Sequence, residues 1–315
     1  MSDLQLEVVG IVDEPGDIRT LTLARPDRAP LPSFTPGSHI VIACGDPDHP
    51  RPNAYSLTGD NIEPDAYTVS VLLCPDGSGG SRWIHERLSV GDLVTVTGPR
   101  SAFAPVLRAR RHLLVAGGIG VTPMISHLRA ARMWGRDARL YYIHREGRGS
   151  YVDEIKALTD DAHIFTERES FYAELLPALA EQPLGTHLYV CGPSGFMDQV
   201  IAAAKDAGWP ESRIHLERFG IDALDPGEPF EVKLASTGET FTVESGVSLL
   251  EALEKRGHKI PNLCRQGVCG ECRIPVSAGE INHRDLYLTD EDKAAGDSLM
   301  CCVSRAAGDR LELAL

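Results

Sequence analysis

Three cysteines crowd one short stretch, Leu263-Cys264-Arg265-Gln266-Gly267-Val268-Cys269-Gly270-Glu271-Cys272, and no other segment constrains the chain as tightly. The spacing is C-x4-C-x2-C, and a fourth cysteine follows at Cys301 or Cys302. This is the plant-type [2Fe–2S] ligand pattern. Three thiolates from one loop and one from a distant segment can hold two irons. Glycines between them let backbone N–H groups turn toward the sulfurs, where they offset charge and help set the potential. A zinc ribbon would call for two paired C-x2–4-C knuckles, and only one such pair is present. A chain organised round this loop must supply or receive single electrons elsewhere along its length.

With 315 residues, the chain is long enough for two or three domains. Its net charge of −14 comes without any basic run, which argues against nucleic acid and against an anionic membrane surface. The acid is spread along the chain, so it reads either as a solubilising surface or as a docking face for a basic partner. The start, Met-Ser-Asp-Leu-Gln, has neither a basic nor an apolar signal region, and no 18-residue apolar run follows. A cytoplasmic protein is expected, with its cysteines in a reducing compartment. Cys44, Cys74 and Cys191 sit singly in apolar runs and read as buried structural thiols. His85, His112, His144 and His283 read as surface or packing histidines.

Residues 1–105 predict an antiparallel β-barrel. Short runs at Leu4–Val12, Ile18–Leu23, His39–Cys44, Ala54–Thr58, Tyr67–Leu73 and Leu93–Thr97 are punctuated by Gly, Pro and Asp. A brief helix is expected over Ser81–Arg87, and Gly79-Gly80-Ser81-Arg82 at its start is a plausible phosphate cradle. From Arg111 the pattern changes. The continuous run His112–Ala116 fits a strand buried on both faces, and Gly117-Gly118-Ile119-Gly120-Val121-Thr122-Pro123 leads straight into a helical period. Strand, glycine turn and helix open many nucleotide sites, although G-x-G-x-x-G itself is absent. Leu140–His144 and Thr186–Cys191 read as further strands, the latter running into Gly192-Pro193. Residues 106–222 therefore predict an α/β parallel-sheet domain, with 223–228 as a linker. Residues 229–315 predict a mixed α+β domain: a hairpin round Thr237-Gly238, a helix over Leu249–Gly257, the cysteine loop, and strands at Arg273–Val276 and Arg310–Leu315.

The order of barrel, α/β unit and cysteine-loop domain resembles the phthalate dioxygenase reductase family, iron–sulfur flavoproteins of the ferredoxin-reductase superfamily. The resemblance covers the whole chain and implies a β-grasp ferredoxin at its C-terminus. Tyr55-Ser56-Leu57 and Gly79-Gly80-Ser81-Arg82-Trp83 match the family's flavin segments. Gly117, Gly118, Gly120, Thr122 and Pro123 match its first nucleotide turn, and Cys191-Gly192-Pro193 matches its signature beside the nicotinamide. Glu217-Arg218-Phe219 matches its Glu-x-Phe end, with Phe219 as the aromatic that covers the flavin. One departure stands out. The family's flavin motif is Arg-x-Tyr-Ser, whereas Asn53 lies two residues before Tyr55 and the nearest arginine, Arg51, lies four before. The phosphate charge then falls to a displaced Arg51 or to Arg82. Between Cys272 and Cys302 lie 29 residues, against 28 to Cys301. The resemblance favours the longer gap and a ligand directly before Val-Ser-Arg, so the ligand set it implies is Cys264, Cys269, Cys272 and Cys302.

What the resemblance implies chemically is consistent. NADH delivers two electrons as hydride and a [2Fe–2S] cluster accepts one, so a flavin, here FMN, is needed between them. Glu146, just after the second strand, would repel a 2′-phosphate, while Arg145, in the cofactor site, would attract one; the resemblance favours NADH. No second metal signature of the Rieske or 2-His-1-carboxylate type is present, so oxygen activation belongs to a separate terminal oxygenase. The chain is expected to be a monomer on its own. A haem-thiolate monooxygenase is an alternative partner. A redox-sensing electron-transfer protein is an alternative of another class, although no sensor or DNA-binding segment is visible.

Overall fold

The structure is a computed structural model that describes residues 3–45, 51–75, 79–101, 103–219, 227–262, 267, 270–285 and 287–315, with the Arg51 side chain left aside. It separates into two units, Met1–Arg218 and Phe219–Leu315.

Period-two alternation builds the first sheet. Its strands are β1 (Leu4–Glu14), β2 (Ile18–Ala24), β3 (His39–Cys44), β4 (Arg51–Ser56), β5 (Ala66–Leu72) and β6 (Leu93–Arg100), with helix α1 (Gly80–Arg87) between the last two. Alternate residues point inward: Leu6 and Val8, Leu21 and Leu23, Ile40 and Ile42, and Val69 and Val71 are all fully buried. The spatial order is β4-β3-β6-β1-β2-β5, and a single bridge between Leu57 and Val69 links the two ends. The antiparallel barrel is therefore present. Strand β4 begins at Arg51, three residues earlier than its apolar pattern indicates, because pairing with β3 continues through Cys44. Cys74 corrects an expectation. It is exposed, because β5 ends at Leu72 and the chain leaves the sheet before reaching it.

The second sheet is parallel throughout. Strand β7 (Arg111–Gly117) leads through a tight turn, Gly118–Gly120, into α2 (Val121–Trp134). There follow β8 (Ala138–Ile143), α3 (Val152–Leu158), β9 (Ala162–Phe165), α4 (Arg168–Ala180), β10 (Thr186–Cys191), α5 (Ser194–Asp206) and β11 (Ile214–Glu217). The order is β11-β10-β7-β8-β9. Leu113, Leu114, Val115 and Ala116 are all fully buried, as a strand covered on both faces requires. Between β7 and β10 the strand order reverses direction, and such switch points are where open α/β sheets bind ligands. This sheet is fastened to the first within one unit. The Tyr151 hydroxyl lies 2.5 Å from Ser70 Oγ and donates to Thr58 Oγ1 at 3.2 Å, and His127 Nε2 bonds the Phe103 carbonyl at 2.8 Å.

The second unit is α+β. Its strands are β12 (Phe230–Leu234), β13 (Thr240–Val243), β14 (Arg273–Ala278), β15 (Ile281–Asn282), β16 (Ser298–Met300), β17 (Arg305–Ala306) and β18 (Arg310–Leu313), with helices α6 (Leu249–Glu254) and α7 (Asp290–Ala295). The main sheet runs β13-β12-β18-β14-β16, with β12 and β18 parallel. Helix α6 ends three residues before Gly257, which closes the following turn at φ 84°. Ser248 and Glu251 form a capping box at its start. The acidic stretch before the last cysteines folds as α7, for which Thr289 and Asp292 supply the same device. Its capping signal was legible, but its lack of buried residues hid it from a periodicity argument.

Candidate functional site

On β3 and β4, inward and outward residues separate two kinds of environment. Their register pairs Ile40 with Tyr55 and His39 with Ser56. The Tyr55 hydroxyl bonds the Cys44 thiol inside the barrel, and burial pushes that thiol up to about 12. Ser56 lies on the opposite face, is buried, and its Oγ has no hydrogen-bond partner among the described residues. Gly79 adopts a left-handed conformation, φ 95°, and starts α1 without a side-chain cap. Gly80 is sterically required: a Cβ there would lie 2.4 Å from Asn53 Oδ1. The Ser81 hydroxyl accepts from Cys74 N at 3.0 Å, and the Arg82 guanidinium donates to the Pro75 carbonyl. The segment is thus a braced loop that opens uncapped N–H groups at a helix start, which suits an anion. An orphaned Ser56 hydroxyl and an uncapped helix start at a glycine cradle fit a flavin with its phosphate.

The nucleotide motifs meet at the switch point. In register, Ala116 pairs with Cys191 on one side and with Tyr142 on the other. A Cβ on Gly120 would lie 2.3 Å from the Cys191 carbonyl oxygen, and one on Gly192 would lie 2.8 Å from the Phe196 ring. The two signatures, more than seventy residues apart in the chain, are therefore pressed backbone to backbone. Thr122 Oγ1 donates to the Ile119 carbonyl and closes the turn at 3.0 Å. Pro193 leads into α5, its carbonyl accepting from Phe196 N and Met197 N. Arg145 and Glu146 lie exposed just beyond β8. The donor set fits a dinucleotide: close backbone approach at Gly117–Gly120 and two helix starts on adjacent strands.

Glu217, named above only as the start of the Glu-x-Phe end, and His39, which the sequence did not single out, converge here. Glu217 is the last residue of β11 and pairs in register with Cys191. His39 lies beside Ser56, and its Nδ1 stands 4.0 Å from Glu217 Oε1, both side chains being almost fully buried. Burial raises Glu217 to about 8 and lowers His39 to about 4, the nearby Arg100 guanidinium adding to the latter. Cys191 is fully enclosed. Burial and the adjacent Glu217 hold its thiol well above its ordinary value, so it presents a neutral S–H at neutral pH. The signal in the chain was a histidine at an outward position of an otherwise apolar strand. Nothing local announces that the outward face is covered.

In the second unit the thiols gather. Cys272, Cys301 and Cys302 are all buried, and Cys301 N donates to the Cys272 carbonyl at 3.2 Å. Hydrogen bonds from Cys301 and Cys302 hold the Cys272 thiol below its ordinary value. Cys264 and Cys269 lie outside the described residues, as do Arg265 and Gln266. Gly267 and Gly270 are left-handed, φ 71° and 83°, and both are closely covered. A Cβ on Gly267 would lie 2.5 Å from Val303 Cγ2, and one on Gly270 would lie 2.3 Å from the Tyr287 ring. Asp285 braces this wall by accepting from Leu288 N at 2.8 Å and Ser304 Oγ at 3.2 Å. Among the described residues Cys272 and Cys302 come together, thiols of the kind an iron–sulfur cluster takes as ligands, and such a cluster's sulfurs accept from N–H groups. Phe219 opens this unit and is half-buried.

Comparison with known proteins agrees with this geometry. Residues 97–214 match the family described as the dimethylamine monooxygenase subunit DmmA-like N-terminal domain, and residues 232–307 match the 2Fe-2S iron-sulfur cluster binding domain. The chain is 35% identical to the carnitine monooxygenase reductase subunit of Escherichia coli (strain K12), over all of both chains. It is 38% identical to the heme-dependent oxidative N-demethylase beta subunit of Ectopseudomonas mendocina (strain ymp), over 90% of each chain. Among solved structures, a phthalate dioxygenase reductase, titled a modular structure for electron transfer from pyridine nucleotides to [2Fe–2S], superposes with a TM-score of 0.82. It has 34% identity, over 100% of this chain and 98% of that one. A barrel, a parallel nucleotide-type sheet and a 2Fe-2S domain on one chain define an iron–sulfur flavoprotein oxidoreductase. Within that class, the chain belongs to the phthalate dioxygenase reductase family.

Proposed function

We propose that this protein is the NADH-dependent reductase component of a multi-component oxygenase system, passing electrons from NADH through FMN and a [2Fe–2S] cluster to a separate terminal oxygenase. The observation that carries the reading is the joining, on one chain, of the abutting Gly117–Pro123 and Cys191–Pro193 turns with the adjacent thiols of Cys272 and Cys302. When bound, the flavin accepts a hydride's electron pair and releases electrons singly, as the one-electron cluster requires.

The chain's own residues then have placement to do more than acid–base work. Tyr55, Ser56 and Leu57 would line the flavin, Tyr55 and Ser56 through their backbone, and Asn53 packs against Gly80. Gly79, Gly80 and Ser81 present N–H groups to its phosphate, and Arg82 and Arg51 supply the positive charge. Gly117, Gly118, Gly120, Thr122 and Pro123 shape the nucleotide turn, and Arg145 contacts the dinucleotide. Cys191, Gly192 and Pro193 would hold the nicotinamide, and Phe219 is assigned, by its match to the family's Glu-x-Phe end, as the aromatic that would cover the flavin. Cys264, Cys269, Cys272 and Cys302 ligate the cluster. In domain terms, residues 1–105 bind FMN, 106–222 bind NADH, and 229–315 hold the cluster beyond a 223–228 linker. No helix among the described residues is long and apolar enough to cross a membrane. We assign the protein to the cytoplasm, as a monomer that meets its oxygenase transiently.

A Rieske non-haem iron oxygenase, such as a demethylase or ring hydroxylase, is the partner class that fits best. A haem-containing oxygenase is the second reading, favoured by the likeness to the heme-dependent N-demethylase subunit. The test is anaerobic reduction by NADH followed by electron delivery to cytochrome c. Flavin bleaching and cytochrome c reduction are expected in the wild type. The Cys272→Ser variant should keep the first and lose the second. Loss of flavin reduction in that variant would overturn the linear order.

A further inference from the structure

Arg305 lies three residues after Cys302, and only 4% of it is exposed. Burying a guanidinium is unfavourable unless its donors find acceptors. Here Nη1 donates to the Val247 carbonyl at 2.6 Å, and Nη2 donates to the carbonyls of Glu244 at 3.0 Å and Glu228 at 3.1 Å. The guanidinium carbon also lies 4.9 Å from the centre of the Phe230 ring. Glu244 and Val247 belong to the turn before α6, whereas Glu228 is the last residue of the expected 223–228 linker. Gly227, just before it, is left-handed, φ 69°, and is pressed on the same side chain. A Cβ there would lie 2.7 Å from Arg305 Nε and 2.8 Å from Arg284 Nη2. A linker serving only as a tether would need neither contact. The segment that holds it also carries the expected ligand Cys302. Ser304 Oγ donates to Asp285 Oδ1 at 3.2 Å, and Val303 and Asp285 both cover Gly267 of the cysteine loop. The stretch 302–305 therefore meets the linker's end on one side and the wall of the cysteine loop on the other.

We propose that Arg305 is a positioning residue for the one-electron step: it clamps Gly227 and Glu228 to the cluster domain and so fixes the point from which the linker holds the cluster to the flavin. The inference rests on the reading of the chain as an NADH–FMN–[2Fe–2S] reductase. In that step one electron leaves the reduced flavin and reduces the cluster, and no bond is made or broken. Placement of donor and acceptor is then what the protein contributes. Arginine suits the task because its planar fork reaches carbonyls on two separate segments at once. A lysine ammonium is a compact point charge on a flexible stem and cannot bridge all three. Glycine at 227 is the other half of the clamp. Any side chain there would have to displace a buried guanidinium that three hydrogen bonds hold in place.

The test uses flavin- and cluster-loaded protein and the variants Gly227→Ala and Arg305→Lys. Hydrogen exchange followed by mass spectrometry reads the anchor itself: the 227–229 amides should exchange about tenfold faster in both variants. Anaerobic stopped-flow mixing with NADH then separates two rates. Flavin reduction should keep its wild-type rate. The flavin-to-cluster transfer that follows should slow about tenfold, since a displacement of about 1 Å costs up to a hundredfold in a positioned reaction. Relieving the 2.7 Å contact to an ordinary 3.4 Å moves the linker by about 0.7 Å. The double variant should be no slower than Arg305→Lys, because both changes break one clamp. Gly227→Ala leaves Arg305 and its bonds to Glu244 and Val247 in place, so it serves as the probe should Arg305→Lys not fold; cluster absorbance confirms loading. Wild-type exchange at 227–229 in Gly227→Ala overturns the clamp, and faster exchange with wild-type transfer overturns its positioning role. Either result leaves the reductase reading intact, whereas wild-type protein whose flavin NADH does not reduce overturns that reading.

Discussion

Replacing Gly120 by alanine tests the tightest contact of the nucleotide turn. Its backbone is ordinary, φ −61° and ψ −3°, so alanine meets no conformational strain there. In open space such a change would stabilise the chain by about 0.4–1 kcal/mol through the unfolded state. The space is not open. The new Cβ would lie 2.3 Å from the Cys191 carbonyl oxygen, 2.5 Å from its carbon and 2.7 Å from Gly192 N, all backbone atoms that cannot rotate aside. Restoring an ordinary contact of 3.4 Å needs a shift of about 1 Å between the ends of β7 and β10. Overpacking of that kind costs about 1–3 kcal/mol, which in a unit of this size lowers the melting temperature by roughly 2–4 °C per kcal/mol. A displacement of about 1 Å also costs up to a hundredfold in a positioned reaction. The assay is urea unfolding followed by far-ultraviolet dichroism, with cluster absorbance as an internal control for the second unit, which should be unaffected. Gly195→Ala is the comparison. It sits in α5 with nothing within 4 Å of its added Cβ, and should gain about 0.5–1 kcal/mol. A Gly120→Ala protein as stable as the wild type would show that the two turns do not abut and would refute the reasoning.

Other outcomes follow from the same geometry. Cys302→Ser should abolish the visible absorption of the cluster, whereas Cys301→Ser should retain it; the reverse pattern would reassign the fourth ligand. Glu217 has a folded value of about 8 against 4.5 unfolded, so the folded chain keeps a proton that the unfolded chain releases, and stability falls as pH rises from 4.5 to 8. His39, lowered from 6.5 to about 4, acts oppositely between those values, so the net loss emerges between pH 6.5 and 8. Urea midpoints of flavin-free protein should show that decline in the wild type and not in Glu217→Gln; parallel profiles would contradict it. Arg305 is buried and donates to the carbonyls of Val247, Glu228 and Glu244. Arg305→Met should cost about 1–3 kcal/mol in the second unit, measured by its thermal transition, because those acceptors lose their donors.

Much of the architecture could be read from local pattern. Alternation fixed the barrel strands, a continuous apolar run marked the doubly covered β7, and cysteine spacing identified the cluster loop. These signals are local, because side-chain period and ligand spacing are set by backbone geometry over a few residues. The edges of elements were less legible. Strand β4 extends to Arg51 through pairing with β3, and α7 is capped yet buries nothing, so hydrophobic periodicity is silent about it. Cys74 looked buried because its neighbours are apolar, and is exposed because the strand stops two residues earlier.

The site divides along the same line. By itself the chain determined which short motifs exist and what chemistry their residue types permit: thiolates for iron, and glycines where backbone must come close to a ligand. Only the tertiary structure decided that Gly120 touches Cys191, that Cys272 meets Cys301 and Cys302, and that His39 faces Glu217 across two sheets. Those pairings join residues far apart in the chain. They arise from strand order and sheet packing, and neither leaves a trace in the spacing of the residues it brings together.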